Sequence, residues 1–217
     1  MGLNKSTGNM YEWITHTYNT IKGACYHDCS YCYMKKWGKL KPVRFDEKEL
    51  KTDLGSGNFI FVGSSCDMWA EDIPDEWILK TIDYCNKFDN KYLFQTKNPS
   101  RINDKFLPSE SVICTTIESN RWYGDIMQNS PYPYQRALGM YCIDLPKYLT
   151  IEPILDFDLE SFVEMIKSIE VVQVNIGADS GNNSLPEPPK EKILELITEL
   201  ERFTIVKQKK NLKRLLK

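Results

Sequence analysis

The chain has 217 residues, 41% hydrophobic and 27% charged, with 28 Lys and Arg against 30 Asp and Glu. That balance excludes a disordered chain, and a length of this order buries roughly 70% of the unfolded surface, enough for a core without disulfide staples. No apolar run approaches the ~20 residues that cross a bilayer. The polar opening, residues 1–11, also lacks the apolar stretch and cleavage site of a secretory signal, so a cytoplasmic protein without membrane contact is expected. Six basic residues and no acid in 207–217 leave 22 basic against 30 acidic residues before them. An acidic body with a basic tail argues against binding duplex nucleic acid over a broad surface.

In chain order, the first run with strand character is 13–17. Others rich in β-branched and aromatic residues follow at 59–62, 92–95, 112–116, 148–151 and 171–176. They are continuously apolar more than alternating, as strands of a parallel sheet buried on both faces are. Helical periodicity lies between them. Residues 74–88 put Trp77, Ile78, Ile82, Cys85 and Phe88 on one face. Asp158 is placed to cap a helix with Phe162, Ile166 and Ile169 inward, and 188–203 begins near a proline and turns Ile193, Leu196, Ile197 and Leu200 inward. A last strand is expected at 206–209, leading to a short amphipathic end with Leu212, Leu215 and Leu216.

Such a βα unit repeated about six times predicts either an open doubly wound sheet or a parallel barrel within one domain, 1–217. The chain is shorter than the ~250 residues of a complete eight-unit barrel, so within that class an incomplete barrel of six units fits better. Either way, function gathers at the carboxyl ends of the strands.

Seven cysteines is an odd number, and they read as thiols or metal ligands before disulfides. Cys66, Cys85, Cys114 and Cys142 are isolated, with no paired spacing that would supply a second cluster. Cys25, Cys29 and Cys32 stand together as C-x3-C-x2-C just after the first strand. Three thiolates in one loop can hold an iron-sulfur cluster whose fourth iron keeps an open coordination position. Buried free thiols, or a zinc site completed by His27 or a distant ligand, are the alternatives.

With Tyr31 at the x-aromatic position, this motif resembles the radical S-adenosylmethionine (radical SAM, AdoMet) superfamily. The run Cys29-Ser30-Tyr31-Cys32-Tyr33-Met34 resembles the cluster loop of the spore photoproduct lyase family and of a small, often phage-associated radical AdoMet family. The resemblance implies an α/β fold with a partial (β/α)6 TIM-like barrel. It also implies a [4Fe-4S] cluster on Cys25, Cys29 and Cys32, and AdoMet chelating the fourth iron. Reductive cleavage of AdoMet would then give a 5′-deoxyadenosyl radical that abstracts hydrogen from a substrate. Oxygen sensitivity and a low-potential electron donor of flavodoxin or ferredoxin type follow from the same chemistry.

The strand ends supply the remaining candidates. Ser64, Ser65 and Asp67 stand where the superfamily binds the AdoMet ammonium, in a segment that departs from its Gly-Gly-Glu-like pattern. Cys66 occupies the position of a hydrogen-donating cysteine in the lyase family. Lys97 would bind the AdoMet carboxylate, with Tyr31 beside the cluster, and Thr116 and Glu118 would reach the adenosine hydroxyls. Glu152 is an inward carboxylate for which Lys97 is an available partner. Residues 121–135 read as a long loop whose Trp122, Tyr123, Tyr132 and Tyr134 form either an aromatic lid or a satellite cluster. Lys35, Lys36, Lys39, Lys41 and Arg44 surround Trp37, with no acid from Cys29 to Phe45. That run suits a phosphate-bearing substrate or is a solvated loop. The substrate expected is a nucleic-acid base or nucleotide. A small metabolite or peptide, or a non-catalytic zinc-binding protein, are the competing readings.

Overall fold

The computed structural model describes residues 3–7 and 10–217. The polar opening segment is therefore described only in part, with residues 1, 2, 8 and 9 outside it. Among the described residues there are ten strands: β1 (Asn4–Lys5), β2 (His16–Tyr18), β3 (Ile21–Lys22), β4 (Arg44–Phe45), β5 (Phe59–Val62), β6 (Lys91–Gln95), β7 (Ser111–Thr116), β8 (Lys147–Ile151), β9 (Gln173–Ile176) and β10 (Ile205–Gln208). Eight form one sheet in the order β1-β2-β5-β6-β7-β8-β9-β10, while β3 and β4 make a separate antiparallel pair. Within the eight-stranded sheet only β1 runs antiparallel to its neighbour, and every other pairing is parallel. The sheet is open, since among the described residues no ladder joins β10 back to β1.

The helices are α1 (Asp75–Cys85), α2 (Gly124–Met127), α3 (Pro133–Tyr141), α4 (Leu159–Ile169) and α5 (Lys190–Leu200). The repeated βα unit is less regular than its sequence pattern. The crossover from β6 to β7 contains only short 3-10 turns, Pro99–Arg101 and Asp104–Phe106, and that from β2 to β5 contains Tyr33–Trp37 and Glu47–Lys51. Prolines and asparagines break the first, and Gly23, Gly38, Gly55 and Gly57 at positive φ break the second. Conversely, the supposed loop 121–135 holds α2 and the start of α3. Pro133 opens α3 where its missing N–H costs nothing, and Gln135 accepts from the backbone N–H of Tyr132 at 3.0 Å. Asp158 does precede α4, but its side chain makes no cap and pairs instead with Arg121.

Strand residues alternate between two cores. Ile60, Val62, Tyr92, Phe94, Ile113, Leu149, Ile151, Val174 and Ile176 face the helices and pack with Ile82, Met140, Phe162, Ile166 and Leu196. At about 1.5–3 kcal/mol per large apolar side chain, this layer dominates the stability. Phe61, Leu93, Val112 and Cys114 face the other way, onto Tyr11 and Ile14. The first predicted strand starts late for this reason. Trp13 is drawn onto that face, stacked on Tyr11 at 4.9 Å and edge-on to Tyr148 at 5.4 Å. Toward the carboxyl ends the same face turns polar: Tyr11 donates to Gln95 (2.9 Å), and Gln95 donates to Thr116 (2.9 Å). No helix among the described residues is long and apolar enough to cross a membrane.

Candidate functional site

Beyond the carboxyl ends of the strands lies a cavity of about 860 Å³, within the size range of cofactor and ligand pockets. It is walled by the cysteine loop, the turns after β5 and β6, and the ends of β7 to β10.

The cysteine loop leaves β3 through Gly23, whose φ of +122° and whose approach to Pro42 leave no room for a side chain; a Cβ would sit 2.6 Å from the Pro42 carbonyl. Ala24 N–H then bonds Lys41 O at 2.8 Å, closing the loop at its base. Cys25 O accepts from Asp28 N–H (3.2 Å) and Cys29 O from Cys32 N–H (3.1 Å), so successive tight turns bring the three thiols onto one cavity wall. Residues 121–135 brace the loop from behind. Ile126 O accepts from Ser30 N–H (2.9 Å), Asn129 N–H donates to His27 O (3.1 Å), and Cys29 Sγ lies 3.4 Å from Ser130 Oγ. Trp122, Tyr123, Tyr132 and Tyr134 do not line the cavity, so this segment is a brace for the cysteines and not a lid.

The thiols differ in environment. The hydrogen bond from the Cys66 thiol brings Cys25 down to about 7 despite burial, and Cys66 is pushed up by that bond and by burial. Burial raises Cys32. Cys66 is buried in the turn after β5 and lines the cavity beside Cys25.

Asp67 ties three segments together. Its carboxylate accepts from His27 Nε2 (2.9 Å), Thr96 Oγ1 (3.0 Å), Lys97 N–H (2.8 Å) and Trp69 N–H (3.0 Å). Burial works to raise its pKa, but the bond from His27 and those from Lys97 and Thr96 outweigh it and hold the carboxyl below its ordinary value. Ser64 and Ser65 are held by Asn19, which accepts from Ser65 N–H at 2.9 Å and Ser65 Oγ at 3.0 Å. Tyr33 Oη bonds Ser64 O and lines the cavity, a contact that the sequence did not single out.

Lys97 and Glu152 both line the cavity but are not partners. Lys97 Nζ is 3.2 Å from Glu118, and Glu152 pairs with Lys209 at 2.5 Å and accepts from Asn211 at 2.6 Å. Sheet order explains this: β6 lies against β7, so Lys97 sits beside the end of β7, and β8 is one strand further. Glu118 is 0% exposed and does not line the cavity. It is gripped by Arg136, also 0% exposed, at 2.7 Å, by Lys97 and by Tyr31 Oη. Burial alone would raise Glu118, yet Arg136, Lys97 and Tyr31 bring it to about 2. Arg136 also donates to Thr116 O (2.9 Å) and Pro131 O (2.7 Å), locking β7 to the brace. Thr116 itself lines the cavity.

Among the described residues no three His, Cys, Asp or Glu side chains are gathered to hold a single metal ion, and His27 is committed to Asp67. Zinc needs all its ligands about 2.0–2.3 Å from one point. A cluster takes one thiolate per iron, so three thiols spread along one wall of a roomy cavity fit it.

The class defined by this fold and wall is an α/β protein with a mostly parallel sheet and a cysteine-lined cavity at the strand ends. Residues 9–192 match the model of the family described as "Protein of unknown function (DUF5131)", and the chain belongs to that family. No curated protein matches it. Among solved structures, it is similar to a spore photoproduct lyase mutant with bound AdoMet and dinucleoside spore photoproduct. The identity is 11% and the TM-score 0.66, covering 94% of this chain and 80% of that one. The same lyase complexed with dinucleoside spore photoproduct matches at 11% identity and TM-score 0.64, covering 93% and 78%. A point mutant of it matches at 12% and 0.63, again covering 93% and 78%. At these identities the likeness is one of fold: the chain shares the fold of spore photoproduct lyase.

Proposed function

We propose that this protein is a radical AdoMet enzyme acting on a nucleic-acid base or nucleotide. The observation that carries the reading is the single wall on which Cys25, Cys29 and Cys32 open, together with Lys97, onto a cavity with room for a cluster and a nucleoside cofactor. Cys25, Cys29 and Cys32 hold the [4Fe-4S] cluster. When bound, cluster and AdoMet supply one-electron cleavage of a sulfonium and hydrogen abstraction from substrate.

The chain's own residues orient and protect this chemistry. Lys97, steadied by Glu118, offers its ammonium to the AdoMet carboxylate. Ser64 and Ser65 offer oxygens to its ammonium, while Asp67 acts mainly by holding the turn in place, since its oxygens already accept four hydrogen bonds. Thr116, which lines the cavity, would reach the adenosine hydroxyls. Glu118 serves through Lys97 and Tyr31, because its buried oxygens do not reach the cavity. Glu152 and Lys209 line the cavity just beyond the ends of β8 and β10. Cys66, buried beside Cys25, is the hydrogen donor of the reading. The nucleobase substrate is supported by the fold shared with a lyase whose structures hold a dinucleoside photoproduct. A small electron-transfer protein of flavodoxin or ferredoxin type is the reductant.

Anaerobic reconstitution with iron and sulfide, dithionite reduction and chromatography for 5′-deoxyadenosine test the reading. Wild type yields the nucleoside from AdoMet and Cys29→Ala does not. Tight zinc binding without uptake of iron and sulfide overturns it.

A further inference from the structure

Between Cys29 and Phe45 the chain carries five basic residues and no acidic one. The fold makes this run the rim shared by two cavities. Lys35, Lys36 and Lys39 line the larger, and Lys39, Lys41 and Arg44 line a neighbouring one of about 390 Å³; Met34, Lys39, Leu40 and Ser65 belong to both. Some of these charges are spent: Lys35 pairs with Asp28 at 2.7 Å and Lys36 Nζ reaches Ser180 O at 3.4 Å. Lys22, in the smaller cavity, is held by Asp46 and Glu49. Lys39, Lys41 and Arg44 make no ion pair among the described residues, so three cations remain for a ligand.

Trp37 stands in the same turn, between Lys36 and Gly38, which both line the larger cavity. Its side chain is 79% exposed, whereas Trp69 is 1% exposed and Trp122 38%. An indole left in water contributes little to folding, and its apolar face is worth most when something flat covers it. Unpaired cations following an exposed ring along one rim are the elements of a single-strand platform, where phosphates meet the cations and bases stack on the ring.

We propose that the rim from Tyr33 to Arg44 binds a single-stranded polynucleotide. Trp37 stacks on a base flanking the one in the larger cavity, and Lys39, Lys41 and Arg44 take the phosphates leading into the smaller cavity. The inference rests on the nucleobase reading of the substrate and extends it from a free nucleotide to a base within a strand. A duplex is disfavoured because the body is acidic and the cations are confined to one short rim.

The test uses the full chain without cluster or AdoMet, so its result is independent of AdoMet cleavage. A fluorescein-labelled twelve-residue oligothymidylate is titrated by anisotropy at several salt concentrations, with thymidine monophosphate and a duplex as competitors. Trp37→Ala weakens binding by about tenfold at every salt concentration, while Trp37→Phe stays within about threefold of wild type. The triple change Lys39→Ala, Lys41→Ala, Arg44→Ala lowers the salt slope by about 2, from roughly 0.7 per phosphate on a single strand. Far-UV circular dichroism establishes that the variants are folded, as their exposed positions predict. Oligothymidylate binding that is undetectable, that the mononucleotide matches, that the duplex outcompetes, or that neither set of variants alters overturns the proposal. If AdoMet is cleaved yet the oligonucleotide does not bind, the rim inference fails alone; if neither occurs, both fail.

Discussion

Glu118 and Glu152 stand just beyond the ends of neighbouring strands, β7 and β8, and meet opposite surroundings. Glu118 is sealed between Arg136, Lys97 and Tyr31 and has no face on the cavity. Glu152 lines the cavity, held by Lys209 and Asn211, with Gly177 behind it so closely that a Cβ there would sit 2.8 Å from its Oε1. The difference separates two tasks that a carboxylate at a strand end can perform. The first fixes the machinery, joining the cysteine loop, β6, β7 and the brace through one buried charge. The second lies on the cavity wall, held there by Lys209 and Asn211.

The largest effect comes from Arg136→Met. It strands Glu118 in the interior, and breaking a buried pair of this kind costs about 3–5 kcal/mol, or roughly 10 °C or more in Tm for a chain of this length. Thermal unfolding of the apo protein reads it directly. Adding Glu118→Gln to Arg136→Met recovers much of the loss, because it removes the stranded charge. A double variant no more stable than the single would show that Arg136 acts by packing alone.

The pH dependence sharpens the same point. Glu118 lies at about 2 in the fold against an ordinary value of 4.5. A depressed carboxyl contributes stability that is fully present above its unfolded pKa and is lost as pH falls through the folded one. The stability gap between wild type and Glu118→Gln therefore stays constant above about pH 5 and closes progressively toward pH 2, measured by urea unfolding at each pH. A gap independent of pH over that window refutes the charge assignment.

The smallest effect belongs to Lys209→Met. The Glu152–Lys209 pair borders the cavity, and Met keeps the aliphatic stem over the Tyr11 ring, which Lys209 Nζ overlies at 4.7 Å. A loss of about 1–2 kcal/mol in unfolding free energy is expected, less than for Arg136→Met because Asn211 continues to hold Glu152. A loss equal to that of Arg136→Met would erase the distinction between the two carboxylates.

Much of this architecture is legible before any coordinates. The strand at 59–62 matches β5 to the residue, the core faces of α1, α4 and α5 follow from helical spacing alone, and the three clustered cysteines of the sequence all line the same cavity. The buried ion pair was not legible. Arg136 falls where helical spacing wants an apolar residue, between Pro133 and Met140 on the inner face of α3, and so hides the helix it belongs to. The partner of Lys97 was equally hidden, because it depends on which strands are neighbours, a property of the whole sheet. Likewise, no local pattern announces that residues 121–135 turn their backbone toward Cys29 and their aromatic rings away from the cavity.

The position of Lys209 has a consequence for how the site comes into being. One wall of the cavity is made by residues 25–32 and another includes Lys209, 184 positions after Cys25 and one residue beyond β10. At about 5–20 residues per second of synthesis, roughly 10–40 s separate the appearance of the two. Through that interval the cysteine loop exists without its far wall, so its thiols are open to solvent, to oxidants and to stray metal ions. The cavity is therefore enclosed only once β10 has docked and brought Lys209 into place.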